Sequence, residues 1–157
     1  MTRLFIIPAF ALILLFCACN SQHRIRPTNY KIEITRWGAF AGGKSSWTIT
    51  PDSIKIKKEN IEAPEDIYSK AISSSDKQII IDGLSEIELT ELQKEYVDNS
   101  APDDLGEYEF KISIDGKSKE FYIYQVKLDN IFNLVKKING LIPAKYQIGY
   151  NDAYFNY

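Results

Sequence analysis

The sequence predicts an α+β fold: an antiparallel sheet of about five or six strands with two helices on one face. Three observations predict it. Short runs of alternating apolar and polar residues recur along the chain, the mark of half-buried strands. Two longer stretches carry apolar residues at helical spacing. Asp115-Gly116 joins two alternating runs, and a two-residue turn of that kind supplies the positive φ values that match strand twist. The order is strands, helix, hairpin, helix, which suits a sheet covered on one side better than repeated βα units.

Residues 30–36 open the domain as a strand, with Tyr30, Ile32 and Ile34 facing inward. A loop follows from Trp37 to Lys44, and residues 46–50 resume as a second strand containing Trp47. Pro51-Asp52-Ser53 is turn chemistry, after which residues 54–57 alternate again as a third strand. A polar loop over 60–65 holds Pro64, and residues 67–73 read as a fourth strand. Ser74 or Ser75 can cap a helix over 76–87, with Ile80, Leu84 and Ile87 on one face. Gly83 lies inside that helix and costs it about 1 kcal/mol relative to alanine. Periodicity leaves residues 90–96 open between a helical turn and an extended connector, and residues 97–106 form a polar loop.

The hairpin pairs 108–114 with 120–124, and the second helix spans 128–139. Leu128, Ile131, Phe132, Val135 and Ile138 line one face of that helix, Lys136 and Lys137 suit its C-terminal dipole, and Gly140 stops it. The domain is accordingly set at 30–142. Residues 143–157 are a tail with Pro143 and four tyrosines, either a final extended strand packed on the domain or a partly ordered extension.

Before the domain, residue 3 is an arginine, residues 4–18 are apolar, and Cys19 follows Phe16-Cys17-Ala18. One cation, an apolar stretch and a small residue before a processing point form a secretory leader. At 1.5 Å per residue the apolar run reaches only about 22 Å, short of the roughly 30 Å hydrocarbon core. Phe16-Cys17-Ala18-Cys19 resembles the lipobox of bacterial lipoproteins, which implies a leader over 1–18, lipid on Cys19 and a tether over 19–29. Asn20 is not the aspartate associated with inner-membrane retention, so the expected location is a membrane, the periplasmic face of an outer membrane being favoured. The whole chain also resembles small lipoproteins of Bacteroidota-type bacteria.

Composition narrows the chemistry. Lys and Arg number 19 against 21 Asp and Glu, with one histidine, two cysteines and 13% aromatic residues. That is enough apolar material for a core, but there is no basic footprint for nucleic acid. Both cysteines belong to the leader region, so neither disulfide nor thiol chemistry is expected downstream. His23, the single histidine, sits in the tether, leaving none for a catalytic triad or a zinc site. Gly42-Gly43-Lys44-Ser45 lacks the spacing of a phosphate loop and leads into a strand. Asp103-Asp104 and the Glu86, Glu88 pair read as solvated acids, and residues 98–104 lack the ordered ligand spacing of a calcium loop. No cofactor and no metal is expected.

The unusual stretch is 37–47, with two tryptophans, Phe40, three glycines and a cation. One reading makes it an exposed recognition loop in which Trp37, Phe40, Gly42, Gly43 and Lys44 meet a protein partner. The other has Trp37, Phe40 and Trp47 close one end of the core. Tyr30-Lys-Ile-Glu-Ile-Thr-Arg-Trp-Gly-Ala-Phe-Ala-Gly-Gly-Lys-Ser-Ser-Trp-Thr-Ile resembles the opening of emfourin-type proteins, small inhibitors of thermolysin-like metallopeptidases. The likeness extends in layout over 30–141, with Trp37-Gly38-Ala39 standing where a Gly-Gly pair is usual and an extra hairpin-like piece at 54–73. It implies a similar fold and a peptidase as partner. The expectation is therefore a non-enzymatic, membrane-anchored, protein-binding domain. The alternatives are an immunity protein against a periplasm-delivered toxin or a carboxylate-dependent envelope hydrolase.

Overall fold

The computed structural model describes residues 27–38, 43–60, 63–101 and 106–155. Residues 1–26, which hold the expected leader, Cys19 and most of the expected tether, lie outside the described residues, as do 39–42, 61–62, 102–105 and 156–157. Among the described residues no helix is long and apolar enough to cross a membrane.

The fold is mixed α+β, with seven strands in one sheet and two helices. The strands are β1 (Tyr30–Trp37), β2 (Lys44–Ile49), β3 (Ser53–Asn60), β4 (Ala63–Ala71), β5 (Glu95–Val97), β6 (Glu107–Ile114) and β7 (Lys117–Tyr124). Helices α1 (Ser74–Leu84) and α2 (Asp129–Asn139) flank the second half of the chain. The sheet order is β4-β3-β2-β1-β6-β7-β5. Two antiparallel meanders thus meet where β1 pairs with β6, Ile34 opposite Phe110. The expected five or six antiparallel strands become seven, because residues 95–97 add β5 parallel to β7. Three residues are too few for an alternation to show in sequence.

Strand pleat sorts the side chains into two layers. Ile32, Ile34, Trp47, Ile49, Ile54, Ile56, Phe110, Ile112, Phe121 and Ile123 point one way and are buried with Ile80, Leu84, Ile131, Leu134, Val135 and Ile138 from the helices. Full burial of such a side chain contributes about 1.5–3 kcal/mol. The opposite face carries Lys31, Glu33, Lys55, Lys57 and Lys111, and no helix of the described residues covers it.

Local chemistry fixes the element ends. The hairpin turn has φ of 45° at Asp115 and 84° at Gly116, as a primed two-residue turn requires. Asp115 also accepts from the backbone N–H groups of Thr28 at 3.1 Å and Asn29 at 2.9 Å, tying the chain before β1 to the hairpin. Helix α1 starts two residues earlier than its periodicity predicts. Ser73, not Ser74 or Ser75, is its cap, in a reciprocal capping box with Asp76. Gly83 is where α1 touches α2, since a Cβ there would lie 2.8 Å from Leu134 Cδ1. Gly140 ends α2 in a right-handed conformation, so its role is not the left-handed cap its position suggests.

Residues 143–155 fold onto the core as two 3-10 turns, Ala144–Tyr146 and Asp152–Tyr154, and not as a strand. Tyr146, Ile148, Tyr150 and Tyr154 are buried. Their polar ends find backbone partners: Tyr150 Oη donates to Val126 O and accepts from Leu128 N, both at 2.9 Å. Tyr154 Oη donates to Gly106 O at 2.8 Å and accepts from Gln125 N at 3.1 Å. Tyr108, Phe110, Phe121, Tyr150 and Tyr154 then stack edge-on and face-on around that end of the sheet.

Candidate functional site

The pleat of β1 sends Tyr30, Ile32 and Ile34 inward and Trp37 outward. Trp37 is 44% exposed, on the uncovered face. Lys44 lies opposite it on β2 and Glu107 opposite it on β6. The Lys44 ammonium stands 4.7 Å from the centroid of a Trp37 ring, a cation–π contact that holds the indole against the sheet end. Gly38 N donates to Gly43 O at 2.8 Å, closing the base of the loop. A Cβ at Gly38 would lie 3.1 Å from Gly43 O, and one at Gly43 would lie 3.2 Å from Glu59 O. Close backbone approach explains these two glycines.

Trp47, ten residues on, has the opposite fate. It is 2% exposed, faces the helices, and its Nε1–H donates to Tyr146 O at 2.7 Å. The two readings of the aromatic stretch thus divide: Trp47 closes the core, while Trp37 is outside it. Phe40 and Gly42 lie outside the described residues.

Beside Trp37 runs an open cleft of about 510 Å³, lined by Lys94, Glu107, Glu109, Glu120, Phe121 and Tyr122. The pairing of β6 with β7 builds it, with Glu109 opposite Tyr122 and Glu120 one step along the same face. Tyr122 Oη donates to Glu107 Oε2 at 2.6 Å. Burial pushes the Tyr122 hydroxyl well above the ordinary tyrosine range, and its bond to Glu107 acts in the same direction. The hydroxyl therefore stays a donor, fixing Glu107. Glu109 and Glu120 are exposed, and Glu120 approaches Lys111 only at 3.9 Å. The result is an indole platform next to carboxylates in excess of cations.

On the inner side of the same end, Arg36 faces Tyr108, its Cζ 5.7 Å from the ring centroid. Cβ atoms at Gly106 and Gly149 would come within 2.9 Å of Arg36 Nε and 3.2 Å of Nη1. The glycines make room for the guanidinium, whose Nε is buried without a hydrogen-bond partner. That cation, and the cleft carboxylates, were not singled out by motif. Arg36 follows the inward parity of β1, which is a usable signal. The carboxylates gather through the β6–β7 hairpin, and the β1–β6 pairing, which no local pattern declares, sets Trp37 beside them.

Among the described residues, no group of three or more His, Cys, Asp or Glu side chains is arranged to hold a metal ion. Asp103-Asp104 lies outside the described residues. Glu86 is not part of an acidic pair but bonds Lys137 of α2 at 2.9 Å. No protein-family model matches the chain, and no curated protein matches it.

Proposed function

We propose that this chain is a lipid-anchored envelope protein, held by Cys19, whose α+β domain binds a protein partner at the Trp37–Lys44 end of its sheet and has no catalytic role. The observation that carries the reading is Trp37, a large indole left 44% exposed and steadied by Lys44 at the lip of a carboxylate-lined cleft. Exposed, pre-positioned tryptophan is a frequent anchor at interfaces, since it buries much area at little entropic cost. The cleft favours a segment that brings an apolar side chain for the indole and cations for Glu109 and Glu120. The resemblance of residues 30–49 to emfourin-type sequences suggests a peptidase as that partner. Hydrolysis is less well supported, because a general acid needs a carboxyl shielded from water, and Glu109 and Glu120 are exposed.

Two measurements test the proposal. Labelled palmitate should enter the wild-type protein and not Cys19→Ala; continued labelling removes the anchor. Capture from envelope extract should recover a protein that Trp37→Ala and the double variant Glu109→Lys, Glu120→Lys both lose while each stays folded, with a stability loss below about 1 kcal/mol. Capture that survives both variants places the binding surface elsewhere, and a thermolysin-like peptidase assay with the same variants reports whether the captured activity is inhibited.

A further inference from the structure

The two edges of the sheet differ. At one, β5 has three residues, a length that offers little to another strand. At the other, β4 has nine and, among the described residues, no strand pairs with its outer side. Which backbone groups face outward follows from one bond. Ile72 N donates to Asp52 O at 3.0 Å, in line with the unbroken register from Ser53↔Ala71 to Lys58↔Asp66. Antiparallel ladders bond at alternate residues, so the even positions Asp66, Tyr68 and Lys70 bond to β3. Glu65, Ile67 and Ser69 then aim their N–H and C=O groups away from the sheet, and none of the three is proline.

Sheet proteins usually guard such an edge with charges, prolines or brevity. Here Pro64 sits only at the start of β4, and the charged side chains beyond it are engaged within their own chain. Glu65 bonds Lys57 at 2.8 Å, Asp66 accepts from Tyr146 at 2.7 Å, and Lys70 bonds Asp76 at 2.9 Å. At the centre of the open run stands Ile67, 65% exposed, the most exposed large hydrophobic side chain among the described residues.

We propose that β4 pairs antiparallel with β4 of a second copy of this chain about a two-fold axis at Ile67. That register joins outward backbone groups to outward ones at Glu65, Ile67 and Ser69, making about six hydrogen bonds. It sets Ile67 on Ile67 of the second copy, Glu65 on its Ser69 and Asp66 on its Tyr68, with no like charges opposed. A two-fold axis at Asp66 would oppose two aspartates. The strand is thus complementary to itself, which argues for a second copy over an unrelated chain. The product is one continuous sheet across two molecules, with both Trp37 ends left free.

Sedimentation of the full chain in a non-ionic detergent tests this. The wild type should sediment as a dimer at about 10–100 µM. Ser69→Pro removes an N–H that β3 does not use, so it should yield a monomer whose circular-dichroism melt is unchanged. Ile67→Asp, at an exposed position, should do the same by placing two carboxylates on the axis. In a chain with Cys17 and Cys19 replaced by serine, Ile67→Cys should form a disulfide-linked dimer on mild oxidation at least tenfold faster than Ile79→Cys. A wild-type monomer throughout that concentration range overturns the proposal. So does a dimer that persists in either folded variant, or equal cross-linking at positions 67 and 79.

Discussion

Trp37 and Trp47 are the same residue type in one stretch of chain, yet their removal should have opposite consequences. Trp47 is 2% exposed, and a fully buried tryptophan hides roughly 150–250 Å². At about 25 cal/mol per Å² that area corresponds to about 4–6 kcal/mol as an upper bound. Truncation of buried aromatics to alanine typically costs 3–5 kcal/mol. The lost bond from Nε1–H also leaves Tyr146 O without its 2.7 Å partner, adding about 1 kcal/mol. Trp47→Ala should therefore cost about 4–6 kcal/mol, a large share of the roughly 5–15 kcal/mol of an ordinary domain. Trp37→Ala loses partial burial and one cation–π contact, together below about 1 kcal/mol. Urea unfolding followed by far-ultraviolet circular dichroism measures both. Because the chain has two tryptophans, Trp37→Phe and Trp47→Phe each leave one reporter. Emission from Trp47 should be blue-shifted and shielded from acrylamide, and that from Trp37 red-shifted and quenched. Equal loss of stability in the two alanine variants, or equal quenching in the two phenylalanine variants, would refute the division into core and surface.

The other predictions follow the same geometry. Gly83→Ala should destabilise despite the helix-propensity gain of about 1 kcal/mol, because the new Cβ meets Leu134 Cδ1 at 2.8 Å and overpacking typically costs 1–3 kcal/mol; an increased urea midpoint contradicts this. Ending the chain after Ile142 removes Tyr146, Ile148, Tyr150 and Tyr154 from the core. At about 1.5–3 kcal/mol each, their loss matches the whole net stability, so cooperative melting should disappear. Tyr154→Phe should cost about 1–3 kcal/mol in chemical unfolding, since Gly106 O and Gln125 N both lose their partner. The bonds from Asn29 N and then Thr28 hold the Asp115 carboxyl below the ordinary aspartate range. A lowered folded-state value means the contribution is complete above the unfolded pKa near 3.9 and fades as pH falls through the folded value. Asp115→Asn should therefore flatten the acid limb of a stability–pH curve below about pH 4, and an unchanged limb argues against it.

The fold class was legible because most strands alternate cleanly and because Asp115-Gly116 announces its hairpin. Legibility failed wherever burial does not follow a period. Residues 95–97 pair in parallel with β7 over too short a run to alternate. The tail has four tyrosines but reaches the core through 3-10 turns and long-range hydroxyl bonds, such as Tyr150 Oη to Val126 O. Its spacing therefore resembles neither helix nor strand. In the sequence the alternation stops at Arg36, which leaves Trp37 open between core and surface; β1 runs on to Trp37, and with Tyr30, Ile32 and Ile34 inside, its parity sends that residue out. The hairpin that gathers Glu109 and Glu120 was readable, but their meeting with Trp37 was not, since β1 reaches β6 across some seventy residues of sequence.

The uncovered face of the sheet gives the Trp37 end its meaning. An antiparallel sheet can leave one face to water if that face is polar and electrically balanced. Over much of its area this one is balanced: Lys31 bonds Glu33 at 2.7 Å, and Lys57 reaches both Glu59 and Glu65 at 2.7 and 2.8 Å. Such exposed pairs contribute little to stability, but they leave the surface near neutral and well hydrated. The balance breaks beside Trp37. Glu107 is held by a neutral hydroxyl, Glu109 makes no ion pair among the described residues, and Glu120 has only a distant lysine. An indole that water solvates poorly and carboxylates without close counter-ions occur together at that end and nowhere else on the described part of the face. Neither feature aids folding. Both would become favourable if a cationic, partly apolar protein segment covered them, which is the physical content of the recognition proposed for this end of the sheet.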